Sequence, residues 1–156
     1  MNPKVTGMQW VALLALILLG LAVLPLVAQE PKKADAKGDQ EKLQGTWSVE
    51  KFLRNGMPYP DERRKQMVFV VEGNKMAFKV GDREQTVKFT LDPSQNPKTI
   101  DMVDPDRAEM KAIGIYLLEG DKLTILRVEA SNPRPKSFDD STKEGTILWE
   151  FKRKAK

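Results

Sequence analysis

The residue types that most often carry enzyme chemistry are scarce in this sequence. There is no histidine and no cysteine among the 156 residues. Histidine is the commonest general base near neutral pH and the commonest metal ligand, and cysteine supplies thiolate nucleophiles. Serine, lysine and the carboxylates are therefore the residues left to support catalysis or metal binding.

One nucleophile pattern is present, because Ser48-Val49-Glu50-Lys51 has the Ser-x-x-Lys spacing of penicillin-binding enzymes. That mechanism needs the Ser and Lys side chains on the same side, usually one helical turn apart. The surrounding residues predict a strand, in which an offset of three places the two side chains on opposite faces. The Ser-Asp-Asn and Lys-Thr-Gly partner motifs are also absent from the sequence. We therefore predict no catalytic role for this motif.

Two groups of carboxylates are close enough in sequence to suggest a cation site. They are Asp101, Asp104, Asp106 and Glu109, and Asp139, Asp140 and Glu144. Oxygen-rich loops bind calcium, but the glycine of an EF-hand loop is missing and Pro105 interrupts the first group. Asp and Pro also build solvated turns, and we favour that interpretation. We predict no metal, no cofactor and no enzyme, although a carboxylate pair for glycoside hydrolysis is recognised only in three dimensions.

The elements that would position any site are predicted to be β-strands. Three dipeptides predict hairpin turns, which need positive φ: Gly73-Asn74, Gly81-Asp82 and Gly120-Asp121. The apolar runs around them predict eight strands, over 46–53, 67–72, 75–80, 83–91, 98–103, 111–119, 122–130 and 145–152. Several runs alternate with period two, which indicates an antiparallel sheet with one buried face. The pattern favours an all-β, eight-stranded up-and-down barrel with a short helix over 60–66, and a sandwich is the alternative.

A barrel of eight strands is either filled by side chains or holds one small ligand, and both possibilities remain open. The predicted inward set is Trp47, Val49, Phe69, Val71, Met76, Phe78, Val87, Phe89, Ile100, Met102, Ile113, Ile115, Leu117, Leu123, Ile125, Ile147 and Trp149. If the interior binds a small hydrophobic molecule, the predicted contacts are Phe78, Phe89, Ile115, Tyr116 and Arg127.

Two charged residues continue the inward face of a predicted strand. Arg127 and Glu129 follow Leu123 and Ile125 in phase, so we predict that they point inward near one mouth. A charged side chain there must be paired with an opposite charge or hydrated by water. Pairing with each other, pairing with a ligand carboxylate, and exposure at the rim are the three possibilities. Residues Tyr116, Arg134 and Phe138 are predicted to border the same opening.

The first 28 residues have the composition of an export signal. Lys4 precedes an uncharged apolar run, Trp10–Ala28, which ends in the small residue Ala28, although Leu26 is larger than is usual at the third position back. We predict a signal peptide over 1–28 and export to the periplasm or the extracellular space. An uncleaved anchor is the alternative, because the run approaches the ~20 residues of a membrane span. Residues 29–42 are polar and charged, and predict a flexible, dispensable linker.

The remaining chain, 43–153, predicts a single domain. With 40% apolar and 31% charged residues, the composition is that of an ordinary globular protein. The formal net charge of +4 is too small to indicate nucleic acid as a partner. Without cysteine, no disulfide braces the domain. We expect a monomer that touches a membrane only through its N-terminal segment, if that segment is uncleaved.

One motif carries a resemblance to a known fold. Gly45-x-Trp47, in the stretch LQGTW at 43–47, resembles the lipocalin signature. Further stretches resemble a small uncharacterised lipocalin-like domain family best known from Planctomycetes: GNKM at 73–76, KTIDM at 98–102, GIYLLEGDKLTI at 114–125 and RPKSF at 134–138. The resemblance implies the barrel and export, but no activity.

The same resemblance implies a structural role for the Trp. In lipocalins the Trp packs at the closed end beneath a basic residue from the last strand, for which Lys152, Arg153 or Lys154 could serve. Gly45, Trp47 and Arg153 are thus expected to form a structural plug. The expected function is that of an exported lipocalin-like domain that binds a small apolar ligand. The alternative is a structural or protein-interaction domain of the cell envelope with a filled barrel.

Overall fold

The computed structural model describes residues 33–155. In chain order its elements are α1 (Lys33–Leu43), β1 (Gly45–Arg54), β2 (Met57–Pro58), α2 (Asp61–Lys65), β3 (Met67–Glu72), β4 (Lys75–Val80), β5 (Arg83–Asp92), β6 (Thr99–Val103), β7 (Lys111–Glu119), β8 (Lys122–Glu129), a 3-10 helix (Phe138–Thr142) and β9 (Ile147–Arg153). The predicted signal peptide over 1–28 and the first residues of the predicted linker, 29–32, lie outside this range. No helix within 33–155 has the length and apolar character that a membrane crossing requires.

The strands form a closed, antiparallel up-and-down barrel, as predicted. Neighbouring strands follow the order β2-β1-β3-β4-β5-β6-β7-β8-β9, and β1 also pairs with β9, which closes the eight main strands into a barrel. The predicted strand bounds agree with the observed ones to within two residues. The three predicted glycine turns join β3 to β4, β4 to β5 and β7 to β8, each with its glycine at positive φ. Strand β2 is a short hairpin extension of β1.

A bulge in β1 changes the direction of its side chains. Val49 pairs with Phe151 and Lys51 with Glu150, so that Glu50 is the extra residue. Because of the inserted residue, Val49 and Phe52 are both buried in the core although they are three positions apart.

The core is the barrel interior. Nineteen buried residues form it: Leu43, Trp47, Val49, Phe52, Met67, Phe69, Val71, Met76, Phe89, Leu91, Ile100, Met102, Ala112, Tyr116, Leu123, Ile125, Ile147, Trp149 and Phe151. Most of the predicted inward residues are among them, and Phe78 and Val87 pack against them. The two periodic strands β4 and β5 therefore have the predicted phase.

Strand β7 is the exception, and its predicted phase was wrong. Ala112 and Tyr116 face the core, whereas Ile115 is buried in a second cluster with Leu126 and Leu148, packed against Phe138 of the 3-10 helix. Leu117 is 41% exposed. Because β7 is apolar on both faces, alternation did not reveal which residues point inward, and a shift of one residue exchanges the faces.

Helix α1 occupies most of the segment for which a flexible linker was predicted, so the structure differs from that prediction over 33–42. Leu43 at its end is fully buried, and Asp39 is buried as well. Asp39 Oδ2 accepts hydrogen bonds from Tyr116 Oη and from Lys98 Nζ, both at 2.7 Å. The helix is therefore fastened to the barrel by a buried acid, which a count of apolar residues did not detect.

Candidate functional site

The barrel has two ends that differ in how completely their inward side chains are covered. At the closed end, defined by Leu43, Trp47 and Arg153, β1 begins, β9 ends and α1 packs. At the open end, defined by Tyr59, Phe78, Val80, Val87 and Arg127, these five side chains are only partly buried. The closed end has one partly buried apolar side chain that packs on the core, Leu118.

At the closed end the three predicted plug residues come together. The Trp47 ring is fully buried, and its Nε1 donates to the Leu43 carbonyl oxygen at 2.9 Å. Arg153 Cζ lies 4.1 Å from the centre of the Trp47 ring. Gly45 has a φ of 118°, which L side chains rarely adopt, and a Cβ there would lie 3.4 Å from Arg153 Nη1. The glycine thus allows β1 to begin directly beneath the arginine.

Every nitrogen of the Arg153 guanidinium has a partner. Nη1 donates to the Gln44 carbonyl oxygen at 2.6 Å, Nη2 donates to the Lys42 carbonyl oxygen, and Nε donates to Asp121 Oδ1 at 3.0 Å. These bonds join the end of α1, the start of β1, the turn between β7 and β8, and β9. With one hydrogen bond from each of its three nitrogens, the guanidinium is a structural cross-link.

Tyr116 also belongs to the closed end, although it was predicted to contact a ligand at the mouth. Burial and the hydrogen bond to Asp39 raise the pKa of the Tyr116 hydroxyl well above its ordinary value. Burial opposes ionisation of Asp39, but hydrogen bonds from Lys98 and Tyr116 outweigh it and hold the Asp39 pKa below its usual range. The tyrosine is thus a neutral donor that anchors α1.

The middle of the barrel is filled by aromatic rings. The centre of the Phe69 ring lies 4.7 Å from Phe78, 5.6 Å from Trp149 and 4.5 Å from Phe151. Phe52 stacks on Trp149 at 5.7 Å. Tilted and edge-on contacts at these distances are the favourable ones for aromatic pairs. The middle of the barrel is therefore occupied by side chains that pack against one another.

Arg127 lies at the open end and points inward, as predicted. Its Cζ is 5.1 Å from the centre of the Trp149 ring, and the side chain is half-buried. Burial lowers the Arg127 pKa; the charge of Arg54 lowers it further and that of Glu129 raises it. Among residues 33–155, Arg127 has no hydrogen-bond or ion-pair partner.

Beneath Arg127, the indole N–H of Trp149 is also unsatisfied. Trp149 is 8% exposed, and its Nε1 is buried without an acceptor in the described part of the chain. Leaving a buried donor unpaired costs roughly 1–3 kcal/mol. The Trp149 ring that lies against the Arg127 guanidinium thus carries a second donor without an acceptor among residues 33–155.

The backbone that carries Arg127 is fixed by a close approach of β7. Gly114 pairs with Arg127, and a Cβ on Gly114 would lie 2.4 Å from the Leu126 carbonyl oxygen and 3.1 Å from Arg127 Cα. Only glycine fits at this distance. The absence of a side chain at 114 lets the two strands come together beside the arginine.

Three other residues, one predicted as an inward ligand contact and two predicted to border the opening, lie elsewhere. Ile115 and Phe138 pack together on the outer face of the barrel, for the reason given for β7. Arg134 Nη1 donates to the Gly114 carbonyl oxygen at 2.8 Å, and its Nη2 contacts Asp101 Oδ1 at 2.6 Å. The predicted ligand set is thus divided: Phe78 and Arg127 lie at the open end, and Phe89 is buried in the core.

The two sets of carboxylate residues considered as cation sites are centred on turns, which Asp104 and Asp140 stabilise through hydrogen bonds and ion pairs. Asp104 Oδ2 accepts from Arg107 Nη2 at 2.7 Å, and Asp104 Oδ1 accepts from the backbone N–H of Asp106 at 3.0 Å. Asp140 Oδ2 accepts from the backbone N–H of Lys136 at 2.9 Å, and Asp140 Oδ1 pairs with Lys143 at 2.6 Å. In residues 33–155, no three carboxylates are arranged so that they could hold a metal ion.

The Ser-x-x-Lys motif has no catalytic geometry, although the predicted reason was wrong. The β1 bulge places Ser48 and Lys51 on the same outer face. Ser48 Oγ donates to the Lys152 carbonyl oxygen at 3.1 Å, whereas Lys51 Nζ donates to Glu150 Oε1 at 3.0 Å. Each side chain is bound to β9 and not to the other.

An open groove of about 310 Å³ crosses β5, β6 and β7. Its lining mixes the basic Lys88 and Lys111 with the acidic Asp101, and Asp101 is paired with Arg134. Lys88 and Lys111 are exposed to solvent, so the groove differs from the open end, where the charge of Arg127 is half-buried.

Comparison with protein-family models, curated proteins and solved structures gave no match. The barrel is established by the structure itself, whereas membership of the lipocalin-like family stays a prediction from the residues quoted above. Function has to be inferred from the geometry of this chain, and above all from the contrast between the two ends.

Proposed function

We propose that the chain is an exported, lipocalin-like binding module, and not an enzyme, that takes a small apolar molecule at the open end of the barrel. One observation carries the proposal: at this end Tyr59, Phe78, Val80 and Val87 pack on the core but stay partly exposed. Small-molecule sites are concave, mostly apolar and lined by a few polar groups. Partly exposed apolar side chains around an inward arginine match that description.

The aromatic cluster limits the depth of the proposed site. Phe52 stacks on Trp149, and Tyr59 lies 4.8 Å from Phe52 at a tilt of 43°. These rings form a floor on which a ligand can lie. The proposed ligand is therefore small, and its contacts are shared between the floor and the rim.

Export is supported by the sequence of the first 28 residues alone. A lysine followed by a long uncharged apolar run is the pattern of a secretory signal. A periplasmic or extracellular module without cysteine would depend on its packed core and not on disulfides. Determination of the N-terminus of the exported protein tests this part of the proposal: Gln29 supports cleavage, and an intact Met1 contradicts it.

A structural or protein-interaction domain is the second candidate, and a specific observation favours it. The middle of the barrel is filled, since Phe69 contacts three other rings. Leu117 is exposed on the outer face of β7, which also carries the half-buried Ile113 and the buried Ile115. A filled barrel that works through this outer face would have no affinity for small apolar molecules.

Titration with the neutral fluorescent probe N-phenyl-1-naphthylamine separates the two candidates. We expect saturable binding by the exported protein, and at least about ten-fold weaker binding by Val87→Glu, because a charge at the rim has to be desolvated. The matched control, Leu117→Glu, adds the same charge on the outer face and is expected to bind as the wild type does. No saturable binding, together with no co-purified small molecule in native mass spectrometry of the protein from its own host, would contradict the proposal.

A further inference from the structure

Arg127 carries a positive charge that the fold does not neutralise. The side chain is half-buried and has neither an ion pair nor a hydrogen bond within residues 33–155. Burial of an uncompensated charge is unfavourable. The contact with the Trp149 ring offsets part of this cost, but no group among residues 33–155 accepts a hydrogen bond from the guanidinium.

A second, independent observation points to the same place. The Trp149 ring is more than nine-tenths buried, and its N–H has no acceptor in the described chain. Because Arg127 lies over this ring, the unsatisfied indole and the unsatisfied guanidinium are neighbours. A half-buried guanidinium over a buried indole, both without an acceptor among residues 33–155, is the arrangement expected of a site whose acceptor belongs to the ligand.

The charges around Arg127 indicate how many negative charges the ligand carries. Arg54 and Arg127 both pair with Ile147, on the two strands that flank it, and Glu129 follows Arg127 by two positions on β8. Neither Arg54 nor Glu129 has an ion pair among residues 33–155. Two cations and one anion leave one positive charge, which a single negative charge balances.

From this geometry we infer that the open end recognises amphipathic monocarboxylates, with the carboxylate bound by Arg127 and the apolar tail lying along Phe52, Tyr59 and Phe78. A carboxylate fits because its two oxygens match the planar fork of a guanidinium. The inference rests on the proposed function, since it names the ligand class of the same site. The arginine orients the ligand, and the aromatic floor supplies apolar contact.

The chemistry of Arg127 also predicts a spectroscopic signature. A carboxylate that binds the guanidinium competes with the Trp149 ring for it. We expect the fluorescence of Trp149 to change on binding, while that of Trp47, sealed at the other end by Arg153, stays constant. The variant Trp47→Phe isolates the Trp149 signal among the described residues.

Competition against the neutral probe tests the inference with dodecanoate and its methyl ester, which share one tail. The exported wild-type protein should prefer the acid by about ten-fold, the size expected for a hydrogen bond to a charged group. Arg127→Met should reduce the preference to less than about three-fold. Arg127→Lys should keep part of the preference, because lysine keeps the positive charge but lacks the planar, bidentate donor geometry of the guanidinium. Lys88→Met is the control, since it removes one positive charge from an exposed position of β5.

The outcomes separate this inference from the proposed function. If the neutral probe does not bind to the wild type, the proposed function fails. If the probe binds but acid and ester compete equally, the carboxylate inference alone is overturned. A preference that survives in Arg127→Met, or that Lys88→Met reduces by as much, also overturns it. The wild-type comparison needs no variant, so the test stands even if Arg127→Met does not fold.

Discussion

Each end of the barrel contains an arginine side chain that lies above a tryptophan ring. At the closed end Arg153 lies 4.1 Å above the Trp47 ring, and at the open end Arg127 lies 5.1 Å above the Trp149 ring. In both cases the tryptophan belongs to β1 or β9, the strands that close the barrel. The pairs differ in what surrounds them.

The closed-end pair is satisfied and the open-end pair is not. The Trp47 N–H donates to Leu43, and Arg153 has three hydrogen-bond partners. The Trp149 N–H has no acceptor, and Arg127 has no partner besides the ring in residues 33–155. An arginine above a tryptophan ring therefore occurs both in a structural element and in a candidate binding site. What distinguishes the two ends is whether the N–H groups of the pair have acceptors.

The largest expected effect is at the closed end. Trp47→Ala removes a fully buried ring and should destabilise the domain by about 3–5 kcal/mol. Trp47→Phe should be milder. Urea denaturation followed by the fluorescence of Trp149 measures the Ala variant. A wild-type midpoint for Trp47→Ala would show that the ring does not hold the closed end together.

Arg153→Met should have the next largest effect. It leaves Asp121 and the carbonyl groups of Gln44 and Lys42 without their donor, and we expect a loss of about 2 kcal/mol. Lys152→Met, at an exposed neighbouring position, should leave the unfolding midpoint unchanged. Equal midpoints for the two variants would remove the distinction between the satisfied and the unsatisfied arginine.

The anchor of α1 predicts a pH dependence. The Asp39 pKa is lower in the folded state than its ordinary value of 3.8. Its contribution is therefore present above pH 3.8 and is lost as the pH falls through the lower, folded pKa. Asp39→Asn should lose about 1 kcal/mol at pH 7, and the difference from wild type should shrink in acid. Thermal unfolding of both proteins at pH 7 and below pH 3.8 measures this, and a difference that grows in acid would contradict the assignment.

The smallest effect is expected for Trp149→Phe. Its N–H has no acceptor among residues 33–155, whereas Trp47→Phe breaks the bond to Leu43. Trp47→Phe should therefore destabilise the domain by about 1 kcal/mol more than Trp149→Phe does. Paired urea midpoints give the comparison, and an equal loss in both variants would mean that the Trp149 N–H is satisfied in solution.

The strands of this fold could be predicted because turn glycines and alternating residues specify them locally. The turns at Gly73, Gly81 and Gly120 mark three hairpins, and β4 and β5 alternate cleanly. Strand β7 does not alternate, so Tyr116 and Ile115 were assigned to the wrong surroundings. Alternation shows which residues of a strand face inward only when one face is apolar and the other is polar, and both faces of β7 are apolar.

Long-range contacts account for what the sequence did not reveal. Helix α1 is held by the bonds from Lys98 and Tyr116 to Asp39, which are 59 and 77 positions apart in the chain. The inward direction of Arg127 followed from its phase with Ile125. Its lack of a partner could not be read from the sequence, because Glu129 was available as one.

One measurement compares the two arginines directly. Arg127→Met and Arg153→Met are measured side by side for urea stability and for the preference of the protein for dodecanoate over its methyl ester. We predict that Arg127→Met keeps the wild-type stability, or gains a little, and loses the preference, and that Arg153→Met is destabilised by about 2 kcal/mol and keeps it. If Arg127→Met is destabilised as much as Arg153→Met and keeps the preference, the open-end pair is structural and the distinction between the two ends is wrong.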